Sequence, residues 1–442
     1  MATDATAAPA ENFNYLGHIL YHPLFIPLCI GLGLLLRIAV ALMFPIEPAS
    51  DAAWYVARAH ELLAGMGYQE GGHPTAYWPI GWPAILAGSL AIFGSVPLSI
   101  LVINTVSAAL VMWLIVWFAR TLTGSEWVAR VALLAYAIYP NHIAYHGAAN
   151  CETLYLAIAM LAFMLLIKGR DNLLGLVVCG LIFGVATLVK PQTLAFPLGA
   201  VIALGIVYPA YSWLKVLRSA VIVYLFLLLL VSPWSLRNFN VFGEWILVST
   251  NGGVALYTGA NDDTTGDYYD HENPDTFESN YGIPWEQRVE RQVELNKNYK
   301  ALSHEWIGSH KLEWLSWMPK KVFILWQKDT DGFWSFQRDY PASTGTIFYL
   351  QLLNQLYYLA MLALALMAAV AIARAILVRD ERLMPLGLLL CMPLFVSLIS
   401  AVFTGQIRYH HPAMPFVMIL AAWCLNRMIE YKFNFSGRIK ND

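Results

Sequence analysis

A few ionisable side chains stand at the ends of apolar runs, where they can do chemistry. Asp51 lies in "SDAAWYVARAHELLAGMGY", just after an apolar run ending at Phe44. Ser50 or Asp51 can cap the helix this stretch encodes. A helix from Ser50 also puts Asp51, Tyr55, Arg58 and Leu62 on one face. A carboxylate held there at a bilayer edge has the character of a general base. Lys190 closes an apolar run in "FGVATLVKPQ". It either snorkels to the interface or offers a point positive charge to a phosphate. Arg237 in "SPWSLRN" and Arg408 in "GQIRYHHPAMP" each read alone as interfacial anchors. Together with Lys190 they make a candidate anion site at the membrane surface, the depth of a lipid-linked phosphate. Glu152 opens the run in "HIAYHGAANCETLY". It complements a helix N-terminus or pairs with a cation or a substrate hydroxyl.

Other groups carry weaker signals. His142, His146, His410 and His411 form HxxxH and HH patterns, but no third ligand is spaced with them, so zinc is not supported. A divalent metal at Asp51 has no ligand cluster behind it in the sequence. Tyr55, Tyr77, Tyr257 and Tyr409 belong to an aromatic set that fits interfacial belts, and a few such rings can stack on a sugar. Phosphate-loop, nucleophile-elbow, HExxH and EF-hand patterns are missing, which leaves ATP-driven and hydrolase readings without support.

The elements that must position these residues are membrane helices. Of 442 residues, 58% are hydrophobic and 13% charged, with mean hydropathy +0.55, against about 25% charged in soluble domains. The chain therefore reads as an all-α polytopic membrane protein, and its net charge of −2 gives no sign of nucleic acid. The five cysteines, four inside apolar runs, read as small core residues. Runs of about 20 apolar residues place ten spans, within a range of ten to twelve. They lie near 24–44, 99–120, 128–147, 152–168, 173–190, 193–211, 217–234, 347–373, 384–403 and 412–430.

The stretch "WPIGWPAILAGSLAIFG" (78–94) is apolar but short and broken by prolines. If it does not cross, Arg120, Arg130, Lys168, Arg170, Lys215, Arg218, Arg374, Arg379, Arg382, Arg427, Lys432, Arg438 and Lys440 all face the cytoplasm. This sets 78–94 as a re-entrant or interfacial helix on the outer face, with cytoplasmic tails at 1–23 and 431–442. The outer side then carries a first loop, 45–98, following the first span of an N-terminal module over 24–234. It also carries a long loop, 235–346, before the C-terminal spans of 347–430. The long loop holds more than half of the 29 acidic residues. It starts turn-rich and becomes helical, and a loop of this length is usually functional.

Six blocks in order resemble the GT-C membrane glycosyltransferases, in the branch related to protein O-mannosyltransferases and the lipid A aminoarabinose transferase. They are "SDAAWYVARAHELLAGMGY", "AYWPIGWPAILAGSLAIFG", "NCETLYLAIAML", "GLIFGVATLVKPQTL", "SPWSLRNFNVFGEWILVSTNGGVALYTGAN" and "RYHHPAMPF". The fifth is the most specific. The resemblance implies a GT-C fold and inverting transfer of a single sugar from a polyprenyl phosphate, undecaprenyl phosphate in bacteria. The acceptor is a hydroxyl on a lipid, glycan or protein at the periplasmic face of the inner membrane. It makes Asp51 the catalytic base and Lys190, Arg237 and Arg408 the donor-phosphate ligands. Tyr55, Arg58, Tyr77, Glu152, Asn238, Tyr257, Tyr409 and His410 become candidates for substrate contact, and no bound nucleotide is needed. Ala52 and Ala53, where related enzymes often carry a Glu, weaken the case for a divalent metal at Asp51 without removing it. Two other readings stay open: a flippase or transporter for a lipid-linked saccharide, and a ligase or polymerase of related architecture. A flippase needs polar residues at mid-span on several helices, whereas Arg37 stands nearly alone there.

Overall fold

The computed structural model describes residues 19–268 and 273–439, with side chains up to residue 431. The expectations for the first 18 residues and Lys440 lie outside the described residues, and those for Lys432 and Arg438 rest on side chains outside the described range. The chain is helical almost throughout. Among the described residues, Gln69–Glu70 and His73–Pro74 form one two-stranded antiparallel hairpin. Seven helical stretches are long and apolar enough to cross a membrane: Phe25–Met43, Val96–Thr123, Glu152–Gly169, Trp213–Phe242, Pro341–Leu377, Met384–Val402 and Ile407–Tyr431. Gly81–Phe93, Leu173–Val189 and Pro191–Val207 are apolar but shorter. The chain is thus a multi-pass, all-α membrane protein.

Most expected spans coincide with these helices, and three boundaries differ for physical reasons. The run 128–147 is not one helix. Glu126–Ala137 ends, Tyr139 turns extended (ψ 111°), and Pro140–Ala144 starts a new short turn, because a residue preceding proline is pushed out of the helical region. The long loop expected from 235 does not begin there. Trp213–Phe242 runs through Pro233 for 30 residues, and its outer extension is held by Trp234 Nε1 on Val248 O (2.6 Å) and Ser235 Oγ on Leu247 O (2.7 Å). The stretch 78–94 is the 13-residue helix Gly81–Phe93, about 20 Å long and shorter than a hydrocarbon core of about 30 Å.

Small residues set how closely the helices approach. A Cβ at Gly180 would lie 2.5 Å from Val223 O, and one at Gly184 would lie 2.8 Å from the Leu230 side chain. Leu173–Val189 and Trp213–Phe242 therefore meet backbone to backbone, as small residues four apart allow in membranes. Gly81 seats its helix on Leu188 O in the same way, at 2.5 Å, so the segment that follows the first span rests on the chain just before Lys190. Arg37, buried in the first span, donates to Ala137 O (2.9 Å), Tyr136 O (2.9 Å) and Gly33 O (3.0 Å). It supplies donors to orphan carbonyls at the end of Glu126–Ala137, where a cation is favoured.

The long segment between Trp213–Phe242 and Pro341–Leu377 forms helices Gly252–Tyr257, Pro274–Tyr281, Gln292–Ser309, Lys311–Gln327 and Trp334–Asp339. It has a small core of its own around Phe277, Tyr281, Ile283, Leu295 and Tyr299. Gln292 fastens it to the first outer loop. Its Oε1 accepts from Ala76 N (2.9 Å) and Thr250 Oγ1 (3.0 Å), and its Nε2 donates to Pro74 O (3.0 Å).

Candidate active site

Asp51 is the first residue of helix Asp51–Leu63, and Ser50 before it has φ 51° and ψ −129°. That conformation is costly for any residue with a Cβ and is usually retained where geometry matters. The capping reading fails: neither Ser50 nor Asp51 caps the helix with its side chain. The Asp51 carboxylate instead accepts from Arg408, with Oδ2 2.8 Å from Nη1. Arg408 belongs to the 3-10 segment Ile407–Ala413, and its Nε donates to Gln406 Oε1 at 3.2 Å. The pair is accessible, with 26% of the Asp51 side chain and 22% of the Arg408 side chain exposed. Two oxygens and a planar donor fork therefore meet at a solvent-reaching surface.

Lys190 follows Leu173–Val189, and Pro191 directs the chain away. Its Nζ lies 2.9 Å from Glu152 Oε1 and 5.6 Å from the Tyr155 ring centre. Burial opposes the ammonium charge, but the adjacent Glu152 carboxylate outweighs burial and holds the lysine above its usual pKa. Glu152 also lies within electrostatic reach of Arg408. Tyr55 is buried among Cys151, Asp51, Glu152 and Arg408. Burial first, then Cys151, Asp51 and Glu152, push its phenol well above the ordinary value against the opposing pull of Arg408, so it stays a neutral hydroxyl. One site thus gathers Asp51, Tyr55, Glu152, Lys190 and Arg408 from four separate parts of the chain.

Other candidates are engaged elsewhere. Arg237 donates to Thr75 O and Tyr68 O, both at 2.8 Å, and lies over the Trp234 ring. Asn238 donates to Ile246 O at 3.0 Å and accepts from Arg237. Arg58 chelates Glu61 (2.6 and 2.9 Å) and lies 3.8 Å from Glu70 in the hairpin. Tyr77 meets Trp78 edge-on, and Tyr257 packs against Tyr281 and Tyr299 in the small outer core. Tyr409 is half-buried beside Arg408. His410 is buried, with Nδ1 2.7 Å from Leu325 O and Nε2 2.9 Å from Asp329 Oδ1. His142 and His146 diverge, one to Tyr136 and the other to Thr105. Among the described residues, no group of three or more His, Cys, Asp or Glu side chains is arranged to hold a metal.

Two carboxylates at the site escaped the sequence reading. Asp331 faces Arg408, Glu152 and Tyr145, and burial raises its carboxyl above the ordinary value. Asp329 pairs with His410. Both lie in "WQKDTDGFW", where the available signal was a pair of acids directly following an amphipathic, Trp-rich helix.

Comparison with known proteins agrees with this architecture. Residues 77–236 match the family model described as dolichyl-phosphate-mannose-protein mannosyltransferase. No curated protein sequence gives a match. Among solved structures, the archaeal oligosaccharyltransferase AglB of Archaeoglobus fulgidus, in complex with an inhibitory peptide and a dolichol-phosphate, superposes with TM-score 0.53 at 11% identity. It covers 98% of this chain and 52% of that one. A second structure of the Archaeoglobus fulgidus oligosaccharyltransferase, with Zn and sulfate, gives 0.55 at 13% identity, covering 92% and 50%. ArnT from Cupriavidus metallidurans, bound to undecaprenyl phosphate, gives 0.45 at 13% identity, covering 91% and 78%. The chain spans about half the length of the two archaeal chains. The fold is similar to that of the archaeal oligosaccharyltransferase.

Proposed function

We propose that the chain transfers a single sugar from a polyprenyl phosphate, undecaprenyl phosphate in a bacterial membrane, to an acceptor hydroxyl, with inversion. The observation that carries this reading is the Asp51–Arg408 pair beside Lys190 and Glu152. The acceptor oxygen attacks the anomeric carbon from the face opposite the phosphate, and its proton passes to Asp51. The bond between the anomeric carbon and the phosphate oxygen breaks, and the polyprenyl phosphate leaves. Negative charge is lost at Asp51 and gained at the phosphate in the same step. An arginine touching Asp51 and reaching the phosphate follows that charge, and Lys190 adds a fixed positive charge. The matches to proteins acting on dolichyl-phosphate-mannose, or solved with polyprenyl phosphates, support this donor class. Arg237 enters as an outer helper, and Tyr55 and Glu152 as substrate contacts. We read the outer loops as periplasmic, both termini as cytoplasmic and the membrane as the inner one.

The test uses the purified full chain in nanodiscs with a panel of synthetic undecaprenyl-phosphate monosaccharides, following release of undecaprenyl phosphate. Asp51→Asn should lose turnover by at least about 100-fold while keeping affinity for undecaprenyl phosphate. Full turnover in that variant would remove Asp51 as the base. Failure of the unmodified chain to bind undecaprenyl phosphate would sink the whole reading.

A further inference from the structure

His410 stands two residues after Arg408 on the seven-residue 3-10 segment Ile407–Ala413. Both of its ring nitrogens lie against oxygen atoms, Leu325 O at 2.7 Å and Asp329 Oδ1 at 2.9 Å. The ring is also held between Trp326 and Tyr358, at centroid distances of 5.4 and 5.3 Å. Asp329 is 1% exposed. Besides His410 it accepts from Tyr139 Oη, Asn141 Nδ2 and Asn354 Nδ2. Two oxygens receiving four donors leave no room for a substrate contact.

A buried histidine–carboxyl pair is a poor way to stabilise a fold, since an apolar pair of similar volume often does as well. What this pair accomplishes is placement. It ties the outer loop, the corner at 139–141, the Thr344–Leu377 helix and the Ile407–Ala413 segment to one point. We propose that Asp329 and His410 are positioning residues. They fix the segment that carries Arg408, and through it the alignment of Arg408 with Asp51 and the donor phosphate. This gives His410 a role behind the site rather than in contact with substrate, and it rests on the reading of Arg408 as a phosphate ligand.

The experiment is a double-variant cycle on the full chain in nanodiscs, with undecaprenyl phosphate as the probe. Arg408→Ala should weaken binding about tenfold, and Asp329→Asn should weaken it by a similar factor. Asp329→Asn added to Arg408→Ala should change binding by less than about twofold, because nothing is left to position. An Asp329→Asn effect that persists undiminished without Arg408, or no effect at all, overturns the proposal. Should Asp329→Asn fail to give monodisperse protein, Tyr139→Phe decides. It removes one donor to Asp329 and should weaken binding about threefold with Arg408 and not at all without it. Unchanged binding in Tyr139→Phe counts against the proposal. A second readout needs no phosphate. Asp51→Cys/Arg408→Cys should be joined by a short bis-maleimide, and Tyr139→Phe or Asp329→Asn should slow that reaction severalfold. If the wild-type chain does not bind undecaprenyl phosphate, the functional reading falls, while the cross-linking rate still decides whether the buried pair sets the position of residue 408.

Discussion

Replacing Lys190 with Met removes the cation and keeps much of the side-chain volume. Its partner Glu152 lies 2.9 Å away, with only 5% of its side chain exposed against 12% for Lys190. At an effective dielectric near 20 the gross attraction over that distance is about 6 kcal/mol, most of it offset by the cost of taking both charges out of water. Removing one partner leaves the other buried and uncompensated, so Lys190→Met should cost about 3–5 kcal/mol. Glu152→Gln should cost less, because the longer lysine stem lets its charge reach water. In Lys190→Met/Glu152→Gln no stranded charge remains, and stability should return to within about 1 kcal/mol of the starting protein. Binding of undecaprenyl phosphate should stay lost. Thermal unfolding followed by fluorescence-detected size exclusion reads the first effect, and a binding titration on the same samples reads the second. A double variant as fragile as Lys190→Met would refute the reciprocal-burial argument. A stable double variant with undiminished affinity would show that Lys190 is structural and not a phosphate ligand.

Three further outcomes follow from the packing and charges described. Gly180→Leu drives a side chain into Val223 O, 2.5 Å from the position of its Cβ. It should therefore lower the unfolding temperature and the yield, by about 1–3 kcal/mol of overpacking, whereas the same change at Gly199, where nothing lies within 4 Å, should be tolerated. Ser50→Gly relieves a φ of 51° and should stabilise by about 1 kcal/mol while slowing turnover, since Asp51 becomes less firmly placed; Ser50→Val should lower both. Burial lowers the Lys321 ammonium from 10.5 to about 8, so the unfolded chain binds more protons than the folded one between those values. Stability should rise with pH across that window, and the rise should vanish in Lys321→Met.

The helices were legible because length and apolarity alone define a membrane span. So were Asp51, Lys190, Glu152 and Arg408, because an ionisable group at the end of an apolar run demands an explanation. The ends of elements were harder to read. Pro233 looks like a stop, yet tertiary hydrogen bonds from Trp234 and Ser235 carry the helix on to Phe242. Arg237 carries the same sequence signal as Arg408, but only packing reveals that its donors go to the carbonyls of Tyr68 and Thr75. Asp329 was illegible for a different reason. Its partners Tyr139, Asn141 and His410 lie 190, 188 and 81 residues away, and no local pattern marks a carboxylate whose donors are brought to it by the fold.

The Asp51–Arg408 pair joins residues 357 positions apart, and this bears on how the protein is made. At roughly 5–20 residues per second, about 20–70 s separate synthesis of the two. During that interval the helix carrying Asp51 and the chain around Glu152 and Lys190 are already in the membrane, without the arginine. Until then the set of charges is incomplete. Truncated or stalled chains that end before residue 408 lack the arginine, so the set of charges is complete only once the final helices are made.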